Sequence, residues 1–155
     1  MSKNGNLLIS LDFELFWGVH DKRNIKEYGD AILAVRQVLP KMISDFDQYN
    51  VKCTFATVGF LFSTNSEELK KYLPRKKPGY SKEKLSPYPL IKNLSSTGEY
   101  YFAPKLIELI KRSGNHEIAT HTFSHFYCLE DGQQKEDFND DIAAAVSIAA
   151  KKILL

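Results

Sequence analysis

Apolar and polar residues alternate in several distinct rhythms along the chain. Leu7 to Leu15 reads LLISLDFEL. Leu7, Ile9, Leu11 and Phe13 share one side of that run and Leu8, Ser10, Asp12 and Glu14 the other, which is the period of a β-strand. From Ala31 to about Tyr49 the spacing changes. Ile32, Val35, Leu39, Ile43 and Phe46 recur at helical intervals, with Asp30 as the expected N-cap. Pro40 interrupts this pattern and predicts a kink or a split into two helices. Val51 to Thr57, VKCTFAT, is rich in β-branched and aromatic residues and reads as a second strand, with Cys53 as a core thiol. Pro104 suits the first turn of a helix running to about Ser113, with Leu106, Ile107 and Ile110 on one face and Gly114 as its stop. A short strand, Glu117 to Thr120, follows. Lys135 to Ile153 is the last helix, with Phe138, Ile142, Ala145, Val146 and Ala149 as its apolar face. Strand, helix and strand in this order predict a parallel sheet and an α/β fold built from βα units.

The length, 155 residues, suits one domain with a real core. Between residues 63 and 98 the pattern turns polar, with Pro74, Pro78, Pro87 and Pro89, and reads as a surface insertion. Lys70 to Lys84 holds seven basic side chains against one glutamate. That run is either a patch for an acidic saccharide or a solvated surface, and the second is the expectation. Tyr72, Tyr80, Tyr88, Tyr100 and Tyr101 could stack on sugar rings, although each taken singly reads as packing. A net charge of +2 gives no argument for a nucleic-acid partner. No apolar run approaches a membrane span or a secretory leader, and Cys53 and Cys128 make no disulfide framework. A reduced, cytoplasmic protein is the expectation.

The chemistry gathers in Gly114–His125, GNHEIATHTFSH, which carries three of the four histidines. His121 and His125 are spaced so that both imidazoles can face one point at the C-terminal end of the third strand, where α/β folds build their sites. The first strand also ends in acidic residues, Asp12 and Glu14. Carboxylates in so apolar a frame are costly unless they are paired or bound to a metal. Two histidines and a carboxylate form a set suited to zinc or another divalent ion. His116 precedes its strand and reads as structural. His20 reads as a solvated loop residue, and Cys128 is a lesser candidate ligand.

At this point the order SLDFE, KCTFATVGF, GNHEIATHTFSH is similar to the polysaccharide deacetylases of the NodB-homology type, carbohydrate esterase family 4. The family's H-(S/T)-x-x-H motif is matched by His121, Thr122, Phe123, Ser124 and His125. Its lead-in is matched by Gly114, His116, Glu117, Ile118 and His121, with Asn115 inserted. The first motif, usually T-F-D-D, departs: Asp12-Phe13-Glu14 resembles the D-x-(D/E) form of branches related to cyclic-amide hydrolases. The resemblance implies a distorted (β/α) barrel, here incomplete at the C-terminus, and a zinc-dependent hydrolase that removes acetyl groups from a carbohydrate in surface-polysaccharide metabolism. It implies His121 and His125 as metal ligands together with a carboxylate from the first strand, the other carboxylate being the general base. Alignment does not settle which is which. The longer side chain follows the turn out of the strand, which favours Asp12 as base and Glu14 as ligand. The arginine, carboxylates and acid histidine of the family's later motifs have no match here, and the apolar end Ile153-Leu154-Leu155 suggests a fragment with little activity of its own. A related hydrolase of cyclic amides and a non-catalytic metal-stabilised domain are the other two readings.

Overall fold

The structure is a computed structural model and describes residues 5–92, 94 and 98–153. Leu154 and Leu155 of the apolar end lie outside the described residues. The elements run β1 (Ser10–Phe13), α1 (Ile25–Gln48), β2 (Thr54–Thr57), α2 (Ser66–Lys70), α3 (Tyr88–Ile91), α4 (Pro104–Ser113), β3 (Glu117–Thr120) and α5 (Lys135–Ile153). The three strands are parallel and adjacent in the order β1-β2-β3. Their register aligns Ser10, Thr54 and Glu117 at one end and Phe13, Thr57 and Thr120 at the other.

Alternation sorts the sheet's two faces. Leu11, Phe13 and Phe55 point into the core and meet Val35, Leu39 and Met42 of α1. Ser10, Asp12 and Glu117 are exposed on the other face. The core also takes Ile32 and Ile43 of α1 and Leu106, Ile107 and Ile110 of α4. Each such buried aliphatic or aromatic side chain contributes roughly 1.5–3 kcal/mol. After β2 the chain turns through a 3-10 segment, Gly59–Phe62, whose Phe60 and Leu61 are wholly buried between α4 and α5.

Several boundaries differ from the sequence reading. The first strand is shorter than Leu7–Leu15: Leu7 and Leu8 are 82% and 92% exposed, and the chain leaves the sheet after Phe13. The second strand begins at Thr54, because Val51 N still donates to Phe46 O at the end of α1. The long helix starts six residues early, at Ile25, and its cap is Asn24, not Asp30. The Asn24 side chain accepts from Glu27 N at 3.0 Å. Gly29 does not stop the helix, since it is buried against Tyr100, where a Cβ would come within 3.0 Å of Tyr100 Cε1. Pro40 neither splits the helix nor ends it. Leu39 and Ile43 bury on either side of it, and that packing outweighs one missing hydrogen bond. The last helix has the expected span, but its buried face is Asp137, Asp141, Ala144, Ala145 and Ile148, while Val146 is 59% exposed.

The stretch between 63 and 98 puts Leu69, Tyr88 and Ile91 into the main core and buries Leu85. Its basic run is stitched to neighbouring acids: Lys70 to Glu67 at 2.6 Å, Arg75 to Asp140 at 3.2 Å and Lys82 to Glu130 at 2.8 Å. Lys77 lies over the Tyr88 ring. Pairs this exposed are screened by water and contribute little to stability.

Candidate metal centre

Both halves of the centre leave the sheet at the C-terminal ends of its strands. His121 N donates to Thr57 O at 2.9 Å and Val58 N to Phe13 O at 3.0 Å, so the pairing carries one step past the strands. Glu14 follows β1 and His121 follows β3, across the sheet from each other.

The carboxylate arm is shaped by packing. Glu14 exits the strand and Leu15 takes a left-handed backbone conformation with φ 48°. A 3-10 turn, Leu15–Gly18, then buries Leu15, Phe16 and Trp17, and Trp17 Nε1 donates to Tyr101 O at 2.8 Å. This turn brings Gly18 beneath the Glu14 carboxylate. A Cβ at Gly18 would stand 1.8 Å from Glu14 Oε1, so the carboxylate occupies space that only a glycine leaves free.

The histidine arm is shaped by hydrogen bonds. Thr122 and His125 have φ of 62° and 57°, a conformation that costs a non-glycine residue roughly 1–2 kcal/mol. Gly59 N donates to Thr122 O at 2.9 Å and Phe60 N to Phe123 O at 3.1 Å. Phe126 N donates to Thr122 Oγ1 at 2.7 Å and Tyr127 N to the Tyr80 hydroxyl at 2.9 Å. Phe123 is wholly buried, edge-on to Phe60 with ring centroids 4.9 Å apart. The backbone of Gly59 lies so close that a Cβ there would be 2.9 Å from Phe123 Cα.

The result is convergence. Glu14 Oε2 is 3.1 Å from His125 Nε2 and 3.4 Å from His121 Nε2, and one ligand atom from each of the three residues lies within 4.8 Å of the others. Hydrogen bonds from His121, then from His125, hold the Glu14 carboxyl down at about 2 despite its burial. The same contact with Glu14 raises His121 above the usual imidazole value, against the opposing effect of burial. Asp12 stands apart from this trio. It is exposed, and its Oδ1 is 3.9 Å from the other ring nitrogen of His121, Nδ1.

The remaining sequence candidates fall outside the trio. His116 precedes β3 at the opposite, N-terminal end of the strands, its side chain buried edge-on to Phe46 and Phe55 and its Nε2 3.5 Å from Asp47 Oδ1. His20 is half-buried, with Nδ1 2.7 Å from Trp17 O. Cys128 is exposed and outside the trio. Sequence reasoning missed Gly18, Gly59 and Asp141. Gly18, four residues after Glu14, and Asp141, four after Asp137 on the last helix, were visible as spacings. Nothing in the sequence marked Gly59 as a contact of Phe123.

An open parallel sheet presenting two imidazoles and a carboxylate at the C-terminal ends of its strands defines an α/β protein with a donor set suited to a divalent ion. The family model for polysaccharide deacetylase matches residues 27–153, and the chain belongs to that family. The matched region holds His121 and His125 and begins after Asp12 and Glu14. Neither the curated proteins nor the solved structures include a match to this chain. Membership implies a hydrolase that removes acetyl groups from a carbohydrate, in a family that is generally metal-dependent. Among the described residues no helix is long and apolar enough to cross a membrane.

Proposed function

We propose that the protein is a metal-dependent deacetylase that cleaves N- or O-acetyl groups from a sugar or sugar conjugate in cytoplasmic steps of surface-polysaccharide metabolism. The observation that carries this reading is the convergence of Glu14, His121 and His125 on one point, supplied by segments more than 100 residues apart. Those three residues would hold the ion, and the two imidazoles with one carboxylate suit zinc. Zinc bound there would supply Lewis acidity toward an acyl oxygen and a water that ionises near neutral pH.

Asp12 is the base in this reading. It is exposed beside His121, open to a substrate, and free of the contacts that occupy Glu14. It takes the proton as water attacks the acyl carbon, and it can steady the His121 ring through Nδ1. The three strands then form part of a larger (β/α) barrel, with Ser10, Asp12 and Glu117 on its inner face. The Asp12-Phe13-Glu14 motif also suits a hydrolase of cyclic amides, and this substrate class belongs in the same assay.

The expected outcome is one zinc per chain by calorimetry, lost with His125→Ala, and slow zinc-dependent acetate release from N- or O-acetylated oligosaccharides. Turnover is slow because the centre holds no separate acid beside Asp12, Glu14, His121 and His125, so the proton that Asp12 takes from water must also serve the leaving amine or alcohol. Absence of zinc binding by the wild-type chain would refute the metal centre. Ring opening of a cyclic amide without acetate release would replace the substrate class.

A further inference from the structure

We propose that Asp141, in the middle of α5, is the positioning residue that sets the spacing of the two imidazoles. The proposal rests on the metal-centre reading above and extends it to a residue 16 positions beyond the second histidine. Asp141 is wholly buried. Its Oδ1 accepts from Phe123 N at 2.6 Å and from Ser124 N at 3.4 Å. Its Oδ2 accepts from the Ser124 hydroxyl and from the Tyr88 hydroxyl, the latter at 3.4 Å. No cation pairs with it among the described residues.

A buried carboxylate without a cation is among the costliest groups a core can hold, and a helix core needs none. Its donors come chiefly from one place, two of the three residues between His121 and His125. Phe123 and Ser124 have their N–H groups turned inward to Asp141, while Thr122 O and Phe123 O are held by Gly59 and Phe60 from the opposite side. The left-handed conformations of Thr122 and His125 flank this grip. Releasing the inner side lets the segment relax toward ordinary backbone angles, and both imidazoles swing with it. A ligand set tolerates only about 0.5 Å of such drift.

Asp140, the preceding residue, shows what an aspartate does on the outer side of the same helix. It bonds Lys76 N at 3.0 Å and Arg75 at the surface and touches nothing in the histidine loop. Asp140→Asn is therefore the matched control.

The test measures zinc affinity by competition with a chelator, the visible absorption of the Co2+ form, and thermal unfolding of the metal-free chain. Asp141→Asn keeps acceptors for the backbone N–H groups but loses the charge and one acceptor oxygen. It is expected to unfold cooperatively, to bind zinc about 10- to 100-fold more weakly, the usual effect of removing a ligand's support, and to give an altered Co2+ spectrum. Ser124→Ala should shift affinity and spectrum in the same direction by less, and Asp140→Asn should match the wild type. A folded Asp141→Asn with wild-type affinity and spectrum would overturn the proposal while leaving the metal centre intact. Should Asp141→Asn not fold, Ser124→Ala decides: unchanged affinity and spectrum overturn the proposal. A wild-type chain that binds neither Zn2+ nor Co2+ overturns the metal centre itself, and this proposal with it.

Discussion

The histidine arm and the carboxylate arm of the centre reach the same point by different physics. Between Thr122 and Ser124 the chain is gripped from two sides, by N–H groups of Gly59 and Phe60 and by the Asp141 carboxylate, around a fully buried Phe123. Glu14 has no such grip. Its backbone is steered by the burial of Leu15, Phe16 and Trp17, and its carboxylate meets the two imidazoles over the gap left by Gly18. One arm is rigid because its polar backbone is satisfied inside the protein. The other is a flexible side chain held by what it binds. A substitution under the rigid arm should therefore disturb fold and site together, and one under the flexible arm should disturb the site alone.

The largest effect is expected from Gly59→Ala. Its Cβ would meet Phe123 Cα at 2.9 Å and Phe123 Cδ2 at 2.6 Å, and backbone cannot step aside as a side-chain tip can. Overpacking of this kind costs about 1–3 kcal/mol. Urea unfolding should show that loss, and zinc affinity should fall with it. If stability is unchanged, the loop is not the rigid arm. Gly18→Ala should behave differently. The atoms in its way belong to the Glu14 carboxylate, which can rotate off. Stability should fall by less than in Gly59→Ala, only by what the Glu14 contact with the imidazoles contributes, while zinc affinity drops as the carboxylate leaves the imidazoles. Equal losses in stability and affinity would erase the contrast between the arms.

The smallest effect is a pH dependence of the metal-free chain. Glu14 is lowered to about 2 from 4.5, so its share of stability is present above 4.5 and is lost as pH falls toward 2. His121 is raised above 6.5 by Glu14, so its share is complete below 6.5 and is lost as pH rises through the raised value. The contact therefore stabilises the apo chain most between those limits. Thermal melts in chelator should show stability declining above about pH 6.5, a slope that Glu14→Gln flattens. Zinc reverses the sign, because the imidazoles bind it only when neutral, so zinc's stabilising effect should grow over the same rise in pH. A melt independent of pH from 5 to 8 in wild-type apo protein would show that Glu14 does not hold His121.

Much of the frame was legible in the chain itself. The helical period of Leu106, Ile107 and Ile110 located α4, and Pro104 and Gly114 marked its ends within the structure's own bounds. The strand at Glu117–Thr120 and the span of α5 also match. Local signals of this kind depend on a few neighbouring residues. The first strand was read less well because its end depends on partners distant in sequence: β1 ends where Leu15–Trp17 find a better burial than the sheet offers. The start of α1 was missed for a local reason, since its cap is Asn24, which accepts from Glu27 N, and not Asp30. The face of α5 was read from its apolar residues alone, and a buried aspartate shifted it by one position. An apolar stripe cannot announce a carboxylate whose donors lie in another segment.

By itself the sequence determined the alternation that makes βα units and the residue types able to hold an ion, because periodicity and side-chain chemistry are properties of short stretches. Only the tertiary structure decided that Glu14 faces both imidazoles while Asp12 stands outside with the other nitrogen of His121. The two acids are two residues apart and would share one face of a regular strand. They part because β1 ends between them, at Phe13, and the next residues turn to bury Leu15, Phe16 and Trp17 against elements far along the chain.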